Sequence, residues 1–154
     1  MDGEITGSED ALLFVYGTLR RGCTGEKAQA LQQQTEWLGQ GSARGHIYRL
    51  GWYPAFVTDV GADAGWVRGD VLRMTQPEAT LAWLDVYEEC SPDFPEPHEY
   101  RREVIDVVHQ SGAMRAWAYV YARPVDGLEA IVGGDWLACQ YLPAHPIPQP
   151  HSDE

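Results

Sequence analysis

At 154 residues, 44% hydrophobic and 22% charged, the chain has the length and composition of one globular domain built round a single core. Its 23 acidic residues against 11 basic ones give a formal net charge of −12, and Lys27 is the sole lysine. That balance excludes a basic face for nucleic acid and disfavours an anionic membrane surface. Three cysteines (Cys23, Cys90 and Cys139) stand far apart without a CxxC or Cys/His pattern, which points to neither a disulfide framework nor a metal site.

In chain order, residues 1–10 (MDGEITGSED) are acidic and polar, lack the charged-then-apolar order of a signal peptide, and read as a loose lead. No apolar run approaches the roughly 18 residues that a membrane-spanning helix needs. The expectation is therefore a cytoplasmic protein. Leu12–Tyr16 is a short apolar run ended by Gly17, the pattern of a buried strand. Thr24–Thr35 has helical composition, and His46–Leu50, Ala55–Val57 and Trp66–Met74 read as strands between Gly and Pro turns.

Thr75-Gln76-Pro77-Glu78 matches a capping box with Pro in the first turn, and Leu81, Ala82, Trp83, Leu84, Val86 and Tyr87 continue the helix toward Pro92. After the Pro-rich Ser91–His98 segment, Val104–Val108 and Met114–Tyr121 read as strands joined by a hairpin turn at His109–Gly112. Gly133-Gly134-Asp135-Trp136 reads as a structural turn with Trp136 packed inward, and residues 143–154 as a Pro-rich tail. The structured domain is thus expected over residues 11–142. Strands outnumber helices, which favours an α+β domain on a mostly antiparallel, barrel-like sheet.

Two segments could carry chemistry. In Tyr16-Gly17-Thr18-Leu19-Arg20-Arg21-Gly22 a buried strand runs into a glycine turn that is neither a Walker loop nor a dinucleotide fingerprint. Such a turn is either an ordinary strand end or a concave cradle of N–H groups for a carboxylate, with the Thr18 hydroxyl as a further donor. The second segment is Leu84-Asp85-Val86-Tyr87-Glu88-Glu89. Leu81, Leu84 and Glu88 fall on one helical face, widened by Trp83 and Tyr87, with Asp85 at its margin and Glu89 outside it. An inward carboxylate is costly unless paired, hydrated or functional, and burial disfavours its charged form and suits it to proton transfer near neutral pH. Glu88 is therefore either a rim carboxylate paired with an arginine or an acid/base group. Cys90 has no evident activating partner, and the five histidines form no HxxxH pair or triad pattern.

FVYGTLRRG (Phe14–Gly22), YPA (Tyr53–Ala55), Val67–Val71, LDVYE (Leu84–Glu88), Y-x-R (Tyr100–Arg102) and GDW (Gly134–Trp136) together resemble the γ-glutamylcyclotransferase-like family. The resemblance implies a small, mostly antiparallel β-barrel with flanking helices, and a cofactor-free, metal-free enzyme. It implies that the turn at Tyr16, Gly17, Thr18 and Leu19 holds a substrate α-carboxylate and that Glu88 is the general acid/base. The implied partner is a small γ-glutamyl compound, cyclised to 5-oxoproline with release of an amine or amino acid. Two rivals stand beside this: a non-catalytic module binding an amino-acid-like anion, and a related enzyme deprotecting γ-glutamylamines or γ-glutamyl-lysine. One departure is Glu89, which stands where the family usually has glycine. Oligomeric state is not indicated.

Overall fold

The computed structural model of the chain describes residues 11–21, 23, 25–50, 53–58, 61, 65–88, 90, 98–110 and 112–136. The lead at 1–10, the tail at 143–154, Glu89, Cys139 and residues 91–97 lie outside these. Among the described residues, seven strands and two helices follow in chain order: β1 (Leu12–Val15), α1 (Glu26–Gln33), β2 (Thr35–Leu50), β3 (Tyr53–Thr58), β4 (Gly65–Met74), α2 (Pro77–Tyr87), β5 (Tyr100–His109), β6 (Gly112–Tyr121) and β7 (Glu129–Ala130).

Five of the strands close a ring in the order β2-β4-β1-β6-β5, completed where β5 meets β2 at Gly41–His109 and Ser42–Val108. Every contact in the ring is antiparallel except β1 on β6, which is parallel at Leu13–Trp117. Strands β3 and β7 extend the sheet from the far half of β2. The expected barrel is present, with one parallel pairing.

Two apolar layers explain the strand sequences. The barrel interior takes Leu12, Phe14 and Tyr16 from the β1 segment, Phe56 from β3, and Ala116, Ala118 and Val120 from β6. The outer layer, under the helices, takes Leu13 and Val15 together with Tyr119 and Tyr121. A strand buried on both faces cannot alternate polar with apolar, hence the unbroken LLFV run of β1. On β6 the small residues point inward and leave room for the Tyr16 and Phe56 rings, whose centroids lie 4.9 Å apart.

Strand β2 is longer than expected, running from Thr35 rather than His46. No element is expected over residues 36–45, where Gly39, Gly41 and Gly45 fall, yet this is the stretch that both β4 and β5 abut. A Cβ at Gly41 would come within 2.8 Å of Val107 and 2.9 Å of Val71, so the bare position permits the close packing at barrel closure.

The helix expected after Thr75 forms as α2, with Pro77 at its start, but the capping box does not. Gln76 is the N-cap and contributes no side-chain bond. Thr75 is already committed, since its backbone N–H and its hydroxyl both donate to the Gln34 carbonyl at 3.1 Å. The Gln34 side-chain oxygen in turn accepts from Thr80 (3.0 Å) and Trp83 (2.9 Å). Tertiary partners thus replace the local cap and fix where α2 begins. It buries Thr80, Leu81 and Leu84.

Candidate active site

The first candidate segment leaves β1 in a tight turn. Arg20 N–H donates to the Gly17 carbonyl at 3.1 Å, which puts Thr18 and Leu19 at the head of the turn. In that geometry the two central N–H groups make no bond within the turn. Glycine is required at position 17 by the neighbouring strand, because a Cβ there would lie 2.6 Å from the Pro54 ring.

The turn is held from beneath. The Arg20 guanidinium is buried, donates to Asp135 at 2.8 Å and approaches Asp70 at 3.6 Å. Asp70 also accepts the Arg21 backbone N–H at 2.7 Å. Buried charges survive only when paired in this way. The Gly134-Asp135-Trp136 motif is structural, as expected. Gly134 adopts φ +68° and its carbonyl accepts from Arg68 (2.8 Å), Asp135 holds Arg20, and Trp136 fills the core.

The second segment ends α2. Glu88 is its C-cap and half-buried, with its N–H bonded to the Leu84 carbonyl at 2.8 Å. Its charge reaches Tyr16, Tyr100 and Cys90. Tyr16 is held well above the ordinary phenol pKa, first by burial and then by Glu88. Burial raises Tyr100 in the same way, with Tyr16 and Glu88 among the further causes. Tyr100 donates to the Pro54 carbonyl at 2.7 Å, on the proline that packs against Gly17. The charge of Glu88 thus acts on the phenol of Tyr16, which leads into the glycine turn, and on that of Tyr100, which is bonded to the proline against Gly17.

A third set of residues joins the two segments. Tyr16 donates to the backbone carbonyl of Tyr119 at 2.5 Å, and the Tyr119 hydroxyl donates to Asp85 at 2.7 Å. Asp85 also receives Arg102 in a two-point ion pair, at 2.9 and 3.2 Å. Tyr119 thus holds the turn by its main chain and the helix by its side chain, one helical turn before Glu88. Its phenol is raised above the ordinary value by burial first and then by its bond to Asp85. The sequence placed Asp85 only at the margin of the helix face and gave Tyr119 no role. The Y-x-R motif was the available signal, since Tyr100 and Arg102 are two of the anchors.

Cys90 is half-buried and raised to about 11, chiefly by burial with Asp85 and Glu88 adding to it, so its thiol stays protonated near neutral pH. Among the described residues no three His, Cys, Asp or Glu side chains gather in a way that could hold a metal ion. Among them, too, no helix is long and apolar enough to cross a membrane.

A small mixed β-barrel flanked by two helices, with a glycine turn after its first strand and a glutamate at a helix C-terminus, defines the class. The chain belongs to the family described as gamma-glutamyl cyclotransferase, AIG2-like, which matches residues 13–138. It is 36% identical over 132 residues to the gamma-glutamylcyclotransferase family protein YtfP of Escherichia coli, covering 81% of this chain and 95% of that one. The solution structure of the Escherichia coli protein superposes with a TM-score of 0.56, over 84% of this chain and 98% of that one. An AIG2-like protein from Mus musculus has the same fold at 20% identity and TM-score 0.62, covering 82% and 87% of the two chains. YkqA from Bacillus subtilis aligns at 26% identity and TM-score 0.63 over 84% of this chain, which spans 40% of that longer one.

Proposed function

We propose that the protein cyclises a γ-glutamyl group to 5-oxoproline and releases the attached amine or amino acid. The observation that supports this reading is the family match over residues 13–138, which takes in both the turn headed by Thr18 and Leu19 and the half-buried Glu88 at the end of α2. The substrate's α-amino group attacks its own γ-carbonyl carbon. The C–N bond of the new five-membered lactam forms, and the bond to the leaving nitrogen breaks. Because the nucleophile is part of the substrate, the protein has to fold it into an attack geometry and move a proton. Glu88 takes that proton from the α-amino group and gives it to the departing nitrogen. The N–H groups of Thr18 and Leu19, with the Thr18 hydroxyl, hold the α-carboxylate.

The test is 5-oxoproline release from γ-glutamyl peptides and γ-glutamylamines by the native chain and by Glu88→Gln. The variant keeps the size and fold of the side chain and loses its basicity, so turnover is expected to fall at least about 100-fold with the folded state intact. Glu89→Gln is expected to be much milder. Comparable turnover by a folded Glu88→Gln variant, or the reverse ranking of the two, removes Glu88 from the acid/base role. Saturable binding without product would favour a module that only binds such anions.

A further inference from the structure

Cyclisation as proposed above leaves one charge of the substrate without a partner. A γ-glutamyl compound carries an α-carboxylate and, at neutral pH, an α-ammonium group on the same carbon. The ammonium nitrogen holds three protons, and the lactam nitrogen keeps one. Of the two that leave, Glu88 carries one to the departing nitrogen, and the other goes to water before the attack. Until it does, the substrate brings a cation into the site, and a cation taken out of bulk water needs a counter-ion.

Glu99 is a second carboxylate beside the elements already described. It is half-buried and directly precedes Tyr100, the first residue of β5. Its main-chain carbonyl accepts the Ala122 N–H at 2.7 Å, just past the end of β6. Its side chain accepts the Tyr53 hydroxyl at 3.3 Å. Tyr53 precedes Pro54, whose ring stands against Gly17 and whose carbonyl takes the Tyr100 hydroxyl. The Tyr53-Pro54 segment against the glycine turn is therefore bonded to both Glu99 and Tyr100. The Tyr100 phenol is raised first by burial, then by Tyr16, Glu88, Glu99 and Tyr53. Two carboxylates from different elements, Glu88 at the end of α2 and Glu99 ahead of β5, thus act on one phenol. Asp70, Asp85, Asp135 and Glu103 are each matched to an arginine, whereas among the described residues Glu99 forms no ion pair.

We infer that Glu99 is the counter-ion for the substrate's α-ammonium group and so makes a free α-amine a condition of tight binding. The inference rests on the cyclisation reading above and deepens it. With the α-carboxylate at Thr18 and Leu19, the α-nitrogen is one carbon further along the Pro54–Tyr100 wall, toward the Glu99 carboxylate that Tyr53 holds. The same charge favours the protonated amine, so the proton bound for water leaves at a higher pH than it would beside a neutral group. Once the lactam has formed, its nitrogen is neutral and Glu99 has no cation left to hold, which favours release of 5-oxoproline.

L-Glutamate and glutarate differ only by the α-ammonium group, and neither has an amine to release, so calorimetric binding of the two reads the site without turnover. The native chain is expected to bind L-glutamate about tenfold more tightly, the worth of one partly solvated charge-assisted hydrogen bond. Glu99→Gln is expected to erase most of that ratio and added salt to narrow it, whereas Glu88→Gln keeps the larger share. In turnover of a γ-glutamyl peptide, Glu99→Gln is expected to raise KM about tenfold and to move the acid limb of kcat to lower pH. A purely structural role for Glu99 would not move that limb. Equal affinity for the two acids, binding of neither, a ratio that survives Glu99→Gln, or a ratio lost in Glu88→Gln alone each overturns the assignment while leaving cyclisation to its own test. A ratio lost in Glu99→Gln, with no 5-oxoproline released by the native chain from any compound, keeps the counter-ion and removes cyclisation. If Glu99→Gln does not fold, Glu99→Ala is read in its place.

Discussion

Gly17 shows how narrowly one position can be fixed by its neighbour. The Pro54 ring occupies the space a side chain would need, and the Pro54 carbonyl is at the same time the acceptor for Tyr100. Gly17→Ala therefore pushes on both walls of the site at once. Overpacking of this kind costs about 1–3 kcal/mol, so the urea midpoint should fall by that cost divided by the m-value, on the order of 1 M. Substrate KM is expected to rise with it, because the N–H groups of Thr18 and Leu19 move with the turn. An unchanged midpoint and KM would show that Pro54 yields freely and that the turn is not gripped from this side. Arg20 is the opposite case of a charge buried for structure: with Asp70 and Asp135 paired to it, it anchors the turn from below.

Between elements, what matters is how α2 is docked, because Glu88 sits at its last turn. Gln34 sets where the helix begins and Asp85 sets where it ends, each through side-chain bonds to other parts of the barrel. Replacing Asp85 by Asn keeps the shape but removes the charge shared by Arg102 and Tyr119. The expected loss is about 1–2 kcal/mol of stability, together with a fall in kcat of roughly tenfold at nearly constant KM. That split marks a residue acting through Glu88 rather than on substrate. Tyr119→Phe removes only the hydroxyl bond and keeps the main-chain bond to Tyr16, so its effect should be smaller on both counts. If Asp85→Asn changed KM alone, the pair with Arg102 would be reporting on substrate contact instead.

The whole molecule carries an alkaline liability from the same buried phenols. Tyr16, Tyr100 and Tyr119 are all raised above the ordinary phenol value in the folded chain, burial being the first cause each time. In the unfolded chain they ionise near pH 10 (about 10 for a free phenol). A group whose folded pKa is raised contributes stability that is complete below its unfolded pKa and is lost as pH climbs toward the folded one. Stability should therefore hold to about pH 10 and then fall, by roughly 4 kcal/mol per pH unit once all three phenols ionise only on unfolding. Cys90, raised to about 11, acts in the same direction from lower pH. Urea titrations at several pH values between 9 and 11, with phenolate absorbance as a second signal, test this. Phenolate absorbance in excess of what the five other tyrosines can supply, appearing before unfolding, would mean that these three hydroxyls reach solvent in the folded state.

Several elements were legible from local pattern alone. The unbroken LLFV run announced β1, the Pro77 start and apolar face announced α2, and the His109–Gly112 hairpin formed where the turn residues placed it. Those signals are short-range, set by burial of one stretch and by the φ preferences of one or two residues. The same helix face pointed Glu88 inward, and the motif order suggested the family to which the chain belongs. Tertiary structure decided the rest. Residues 36–45 of β2 carry no local strand signal, because their glycines answer to strands distant in sequence. Thr75 has the right neighbours for a capping box, yet Gln34, 41 residues earlier, claims its hydroxyl. Tyr119 and Asp85 are 34 residues apart, and no periodicity within either segment records that one hydroxyl joins them. Local sequence determines what each segment can be, whereas a bond between distant segments exists only once closure of the barrel has brought its two ends together.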